Sequence, residues 1–118
     1  MAAGEQQADI EKLLKDYQML QEQIRSVGMQ VEQLQAQKLD MERANEELGK
    51  STGKIYISVG GVIVETTKEK AIADISDRAS LTNARLQSAN KTYTEMRSRE
   101  KQLNEKITAL YRGSGAGT

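Results

Sequence analysis

The chain has 118 residues, about one small domain, and its 17 Lys+Arg balance 17 Asp+Glu to give zero net charge. It contains no histidine, cysteine, proline, tryptophan or phenylalanine, and aromatics are only 3% of its residues. That composition excludes disulfides, thiolate nucleophiles, Cys/His zinc sites and Ser-His-Asp chemistry, argues against the aromatic-rich core of a compact enzyme, and offers no basic excess for nucleic acid or an anionic membrane.

The amino terminus, Met1-Ala2-Ala3-Gly4-Glu5, has neither the basic nor the apolar region of a signal peptide. No stretch approaches the ~18 apolar residues of a membrane span. The expected location is cytoplasmic, with no membrane partner. From Ile10 onward apolar residues recur at alternating steps of three and four: Ile10, Leu13, Tyr17, Leu20, Ile24, Val27, Val31, Leu34, Lys38, Met41, Asn45, Leu48. This is the seam of a coiled-coil helix. The predicted arm covers residues 5–49, with Gly49 placed to close it in a left-handed conformation. Gly28 lies inside the arm, where it costs up to ~1 kcal/mol against alanine.

Gly49-Lys50-Ser51-Thr52 imitates the end of a phosphate-binding loop. The full pattern needs a glycine where Ala44 stands, a strand before it and a helix after. Here a helix precedes and a strand follows, so the segment is read as a connector.

Residues 54–66 then read as a β-hairpin. Lys54-Ile55-Tyr56-Ile57-Ser58-Val59 and Val62-Ile63-Val64-Glu65 flank Gly60-Gly61, a strong two-residue turn signal. The implied register pairs Val59 with Val62, Ile57 with Val64 and Ile55 with Thr66. Ile55, Ile57, Val59, Val62 and Val64 share one face, and Tyr56, Ser58 and Ile63 the other. An isolated hairpin is marginal in water, and its two open edges invite further strands. Two narrow helices cannot cover so much apolar surface, so the hairpin is read as an assembly site that joins others in a larger sheet or barrel.

Thr66-Thr67-Lys68-Glu69 is read as a capping box opening a second arm over residues 67–112, with Thr66 at the cap. The second seam is Ile72, Ile75, Ala79, Thr82, Leu86, Ala89, Tyr93, Met96, Glu100, Leu103, Ile107, Leu110. Across both seams twenty of twenty-four positions are apolar, against 37% for the chain as a whole. The four exceptions, Lys38, Asn45, Thr82 and Glu100, are read as register control rather than a site. Residues 113–118 read as a flexible tail. Equal arms, each roughly 57 Å over its seam, predict a mainly α fold: a long antiparallel two-helix coiled coil with the hairpin at its closed end. The paired numbers sum to 120, so Leu48 meets Ile72, Leu34 meets Leu86, Val27 meets Tyr93 and Ile10 meets Leu110. Charge supports pairing within one chain. Residues 5–48 carry ten acidic and five basic groups, whereas residues 68–112 carry six acidic and ten basic.

This order of arm, hairpin and arm resembles the prefoldin family, specifically its β-type subunits. The resemblance is carried by Ile55-Tyr56-Ile57-Ser58-Val59-Gly60-Gly61-Val62-Ile63-Val64-Glu65-Thr66-Thr67-Lys68-Glu69-Lys70-Ala71 between two coiled-coil arms and covers roughly residues 5–112. Only one hairpin is present, where α-type subunits have two. The resemblance implies a hetero-hexamer of α-type subunits with copies of this chain, its hairpins pooled in a double β-barrel platform. It further implies ATP-independent holding of non-native polypeptides at the coil tips and their transfer to a group II chaperonin. No catalytic residue, cofactor or metal is implied. The candidate assembly residues are Ile55, Ile57, Val59, Val62, Ile63 and Val64. The candidate client-binding residues are Ile10, Leu13, Leu14, Ile107, Leu110 and Tyr111, an apolar cluster that fraying at the free ends would expose. Met19 and Met29 are expected on outer faces. The alternative function is a structural coiled-coil adaptor that oligomerises through its hairpin.

Overall fold

A computed structural model of the chain describes residues 2–113, with side chains from residue 4 onward. Its elements in order are α1 (Ala2–Lys50), β1 (Ile55–Val59), β2 (Val62–Thr66) and α2 (Lys68–Gly113). The fold is mainly α, with one two-stranded antiparallel sheet. Both helices are long for physical reasons visible in the chain. Proline is absent and good helix formers fill the non-seam positions. The predicted tail beyond Gly113 lies outside the described residues, and Gly113 itself is the last residue of α2.

Every predicted seam position except Asn45 is buried or half-buried. The chain divides into two compact units, one holding residues 1–30 and 89–118 and the other residues 31–88. In the first, Ile10, Ile24, Ala89 and Ile107 are buried. In the second, the buried residues are Leu34, Ala71, Thr82 and Leu86. Each large seam side chain contributes about 1.5–3 kcal/mol by leaving water.

Within the first unit the helices run antiparallel, with Leu20 and Leu103 on one groove and Gly28 close to Tyr93. A Cβ built on Gly28 would lie 3.4 Å from Tyr93 Cε2, beside the predicted Val27–Tyr93 layer. That is ordinary van der Waals contact, so the tyrosine ring can stay where it is. Gly28→Ala is expected to stabilise the chain by up to about 1 kcal/mol through helix propensity, read as a higher urea midpoint. A lower midpoint would mean that the ring cannot accommodate the methyl group. Glu100, on the seam, is met from its own helix by Arg97, with Nη1 3.1 Å from Oε1. Its carboxylate therefore escapes to the flank of the seam rather than being buried without a partner. Arg25–Glu22 at 3.0 Å, and in the second unit Arg78–Asp74 at 3.1 Å, are ion pairs of the same within-helix kind. Such exposed pairs contribute little to stability.

The hairpin register is the predicted one: Val59 opposite Val62, Ile57 opposite Val64 and Ile55 opposite Thr66. Gly60 and Gly61 have φ of 55° and 83°, both positive as a tight primed hairpin turn demands. Two helix-end expectations are corrected. Thr66 is not the cap of α2, because it is held in β2 by its pairing with Ile55. The cap is Thr67, whose Oγ1 accepts a hydrogen bond from the Lys70 N–H at 3.2 Å. Gly49 does not close α1 in a left-handed conformation. It remains helical, and the end is tightened by Ser51 N–H donating to Leu48 C=O at 3.2 Å. A third correction concerns Asn45, which is exposed. Toward its end α1 lines the hollow at the root of the hairpin with Ala44, Glu47, Leu48 and Lys50.

Candidate assembly hairpin and helix tips

The hairpin is narrow, apolar on one face and mixed on the other, where Ser58 and Glu65 stand with Tyr56 and Ile63. Alternation puts Ile55, Ile57 and Val59 of β1 and Val62 and Val64 of β2 on one face, with Tyr56 and Ile63 on the other. The helices reach only its root. Ile55 and Ile57 are half-buried over a hollow of about 540 Å³ whose floor and walls include Leu48, Ala71 and Ile75. Ala71 is buried there, at 3% exposed. Beyond the root no other described residue covers the strands. Val59, Val62, Ile63 and Val64 are exposed, Val62 at 61% and Ile63 at 73%. Tyr56 is exposed as well, though it is not among the assembly residues expected from sequence.

The structure separates the predicted tip residues into three groups. Ile10 and Ile107 are buried seam residues, and Leu13 and Leu110 are half-buried. Leu14 and Tyr111 are exposed, at 37% and 45%. The outer-face expectation holds for Met19 and Met29, both well exposed. Met19 also lines an open groove of about 430 Å³ with Leu20 and Leu103, flanked by Asp16, Arg99 and Lys106. Asp16 and Lys106, from the two helices, thus stand as opposite charges on one groove. The groove was missed because single residues beside a seam carry no periodic signal.

Chemically, the surface offers contact area and little else. Among the described residues no cluster of three or more acidic, histidine or cysteine side chains comes together to hold a metal ion. No buried side-chain nitrogen or oxygen lacks a hydrogen-bond partner among them. No helix is long and apolar enough to cross a membrane, again among the described residues.

Two long helices packed along a heptad seam, with an exposed apolar hairpin between them, define a coiled-coil protein whose surfaces are suited to binding other chains. Comparison with known proteins narrows the class. The model of the prefoldin subunit family matches residues 11–114. Prefoldin subunit beta of Pyrococcus furiosus is 32% identical over 110 residues, covering 92% of this chain and 94% of that one. The subunit of the same name from Methanosarcina acetivorans is 30% identical over 100 residues, covering 83% and 86%. The solved prefoldin beta subunit from Thermococcus strain KS-1 matches with a TM-score of 0.80 at 25% identity, covering 86% of this chain and 92% of that one. The chain belongs to the prefoldin family, and it is accordingly a chaperone subunit and not an enzyme.

Proposed function

We propose that this chain is the β-type subunit of a prefoldin hexamer, joined through its hairpin to α-type subunits and to copies of itself. In that assembly it holds non-native polypeptides at its helix tips, without nucleotide, and passes them to a group II chaperonin. The observation that carries the proposal is the exposed hairpin, whose Val59, Val62, Ile63 and Val64 stand in water when the chain is alone. An apolar surface of this kind with open strand edges is stabilised by pairing with further strands. Its partners are hairpins of the same chemistry, and the product is a closed platform.

Client holding follows from geometry and number. One tip offers only a few apolar side chains, Leu14 and Tyr111 foremost, so each contact is weak. Several tips on one platform raise the effective concentration of the next contact, and avidity gains ~10²–10⁴. Methionines near the contact surface, such as Met19, adapt to varied partners. A cytoplasmic site of action goes with this reading.

The test is suppression of aggregation of a chemically denatured model protein, with and without an added α-type subunit. Protection is expected from the mixed assembly without ATP, and little from either chain alone. An assembly that forms but gives no protection would leave the structural adaptor as the better reading.

A further inference from the structure

Lys68 stands where its own helix disfavours it. It is the first residue of α2, where unsatisfied backbone N–H groups make a cation unfavourable. Its ammonium does not stay there. Nζ donates to the Gly49 carbonyl at 3.0 Å and to the Ser51 carbonyl at 3.4 Å. Gly49 lies in the last turn of α1 and Ser51 just beyond it, where the helix end carries partial negative charge. The turn has closed one of its own carbonyls, Leu48, with the Ser51 N–H. Lys68 supplies donors to two more that the turn leaves over. Thr67 has meanwhile capped α2, so the start of that helix is satisfied without the lysine side chain.

The placement gives this contact a role beyond capping. Everything between Ser51 and Lys68 is hairpin and its short flanks. The lysine thus closes the loop at its two roots, independently of the ladder between β1 and β2. The tie lies beside the hollow under the hairpin, which Lys50, Ser51 and Ile55 help to line.

We infer that Lys68 is the positioning residue of the hairpin, its ammonium fastening the end of α1 to the start of α2 and so fixing how β1 and β2 leave the helices. The inference rests on the hairpin being the assembly element. A hairpin free to swing at its roots must be ordered at each assembly step, so loss of the tie weakens assembly without removing any interface residue. Charge is central, because hydrogen bonds from an ammonium to carbonyls at a helix end are stronger than neutral ones.

The experiment measures backbone amide exchange across residues 51–66 in the free chain, and assembly affinity with an α-type subunit. It compares the wild type with Lys68→Met, Lys68→Gln, Lys68→Arg and the control Lys54→Met, which removes the same charge beside the same hairpin. Both neutral variants at position 68 are expected to exchange roughly tenfold faster at the root of β1 and to assemble roughly tenfold more weakly. Lys68→Arg and Lys54→Met are expected to stay within about twofold of wild type, and circular dichroism to show unchanged helix in all of them. Exchange no faster in Lys68→Met and Lys68→Gln than in Lys54→Met would overturn the tie. Faster exchange with undiminished assembly would overturn the positioning role of Lys68 in assembly while leaving the tie, and the hairpin as the assembly element, in place.

Discussion

Val62→Asp is expected to abolish assembly while leaving the helix content of the chain unchanged. Val62 is 61% exposed, so an aspartate there is fully hydrated in the free subunit and costs it almost nothing. In a shared sheet or barrel the same carboxylate sits against Val59 and the apolar residues of a neighbouring hairpin, with no cation to meet it. Burying an unpaired charge costs several kcal/mol per subunit. Ile57→Asp acts in the same direction but tests less cleanly. Ile57 is half-buried over the hollow lined by Ala71 and Ile75, so a charge there also unsettles the seat of the hairpin. Sedimentation velocity reads the outcome, and a Val62→Asp chain that assembles like wild type would show that this face is not the interface.

Removing residues 1–14 and 107–118 together is expected to spare assembly and eliminate protection of unfolded clients. The deletion takes away Leu14 and Tyr111, which are exposed, and Ile10 and Ile107, which become accessible only when the ends fray. It leaves the seams from Tyr17 to Leu48 and from Ile72 to Leu103, together with the whole hairpin. A finer variant, Leu14→Ser with Tyr111→Ser, leaves the buried seam intact and should reduce protection severalfold. Because several tips contribute, each small loss is multiplied across the assembly. Undiminished protection by the truncated chain would move the client surface away from the tips, for instance to the groove that Met19, Leu20 and Leu103 line.

Where one energetic term dominated, the structure could be read from sequence. Apolar burial set the seam, so the 3-4 pattern located nearly every residue that leaves solvent, from Ile10 to Leu110. Backbone sterics set the hairpin: a glycine pair between β-branched runs admits one tight turn, and the turn fixes the register. Helix ends were legible only in part, because several weak donors and acceptors compete there. Thr66 and Thr67 are equally good caps in isolation, and strand pairing decided between them by claiming Thr66. Gly49 carried a stop signal that a tightened last turn and the Lys68 ammonium made unnecessary. Asn45 fitted the heptad by number, yet α1 presents Ala44 and Leu48 near its end, where the hollow beneath the hairpin, and not the opposite seam, is what must be lined. Ala71 was invisible as a core residue because it lies outside the 3-4 series, one position before Ile72. Its importance comes from the space left under Ile55 and Ile57. The candidate surfaces were legible as composition but not as exposure. Ile10 and Tyr111 look alike in a list of apolar residues, and only the folded chain distinguishes the buried one from the exposed one.

The most direct measurement is the molar mass of the purified chain by multi-angle light scattering, alone and mixed with an α-type prefoldin subunit, combined with amide exchange of the hairpin. A mixed species of six subunits is predicted, with exchange at Val59 to Val64 slowed only on assembly. A chain that stays monomeric in both samples, with those amides already protected, would mean that its own helices cover the hairpin, and would contradict the assembly on which the function rests.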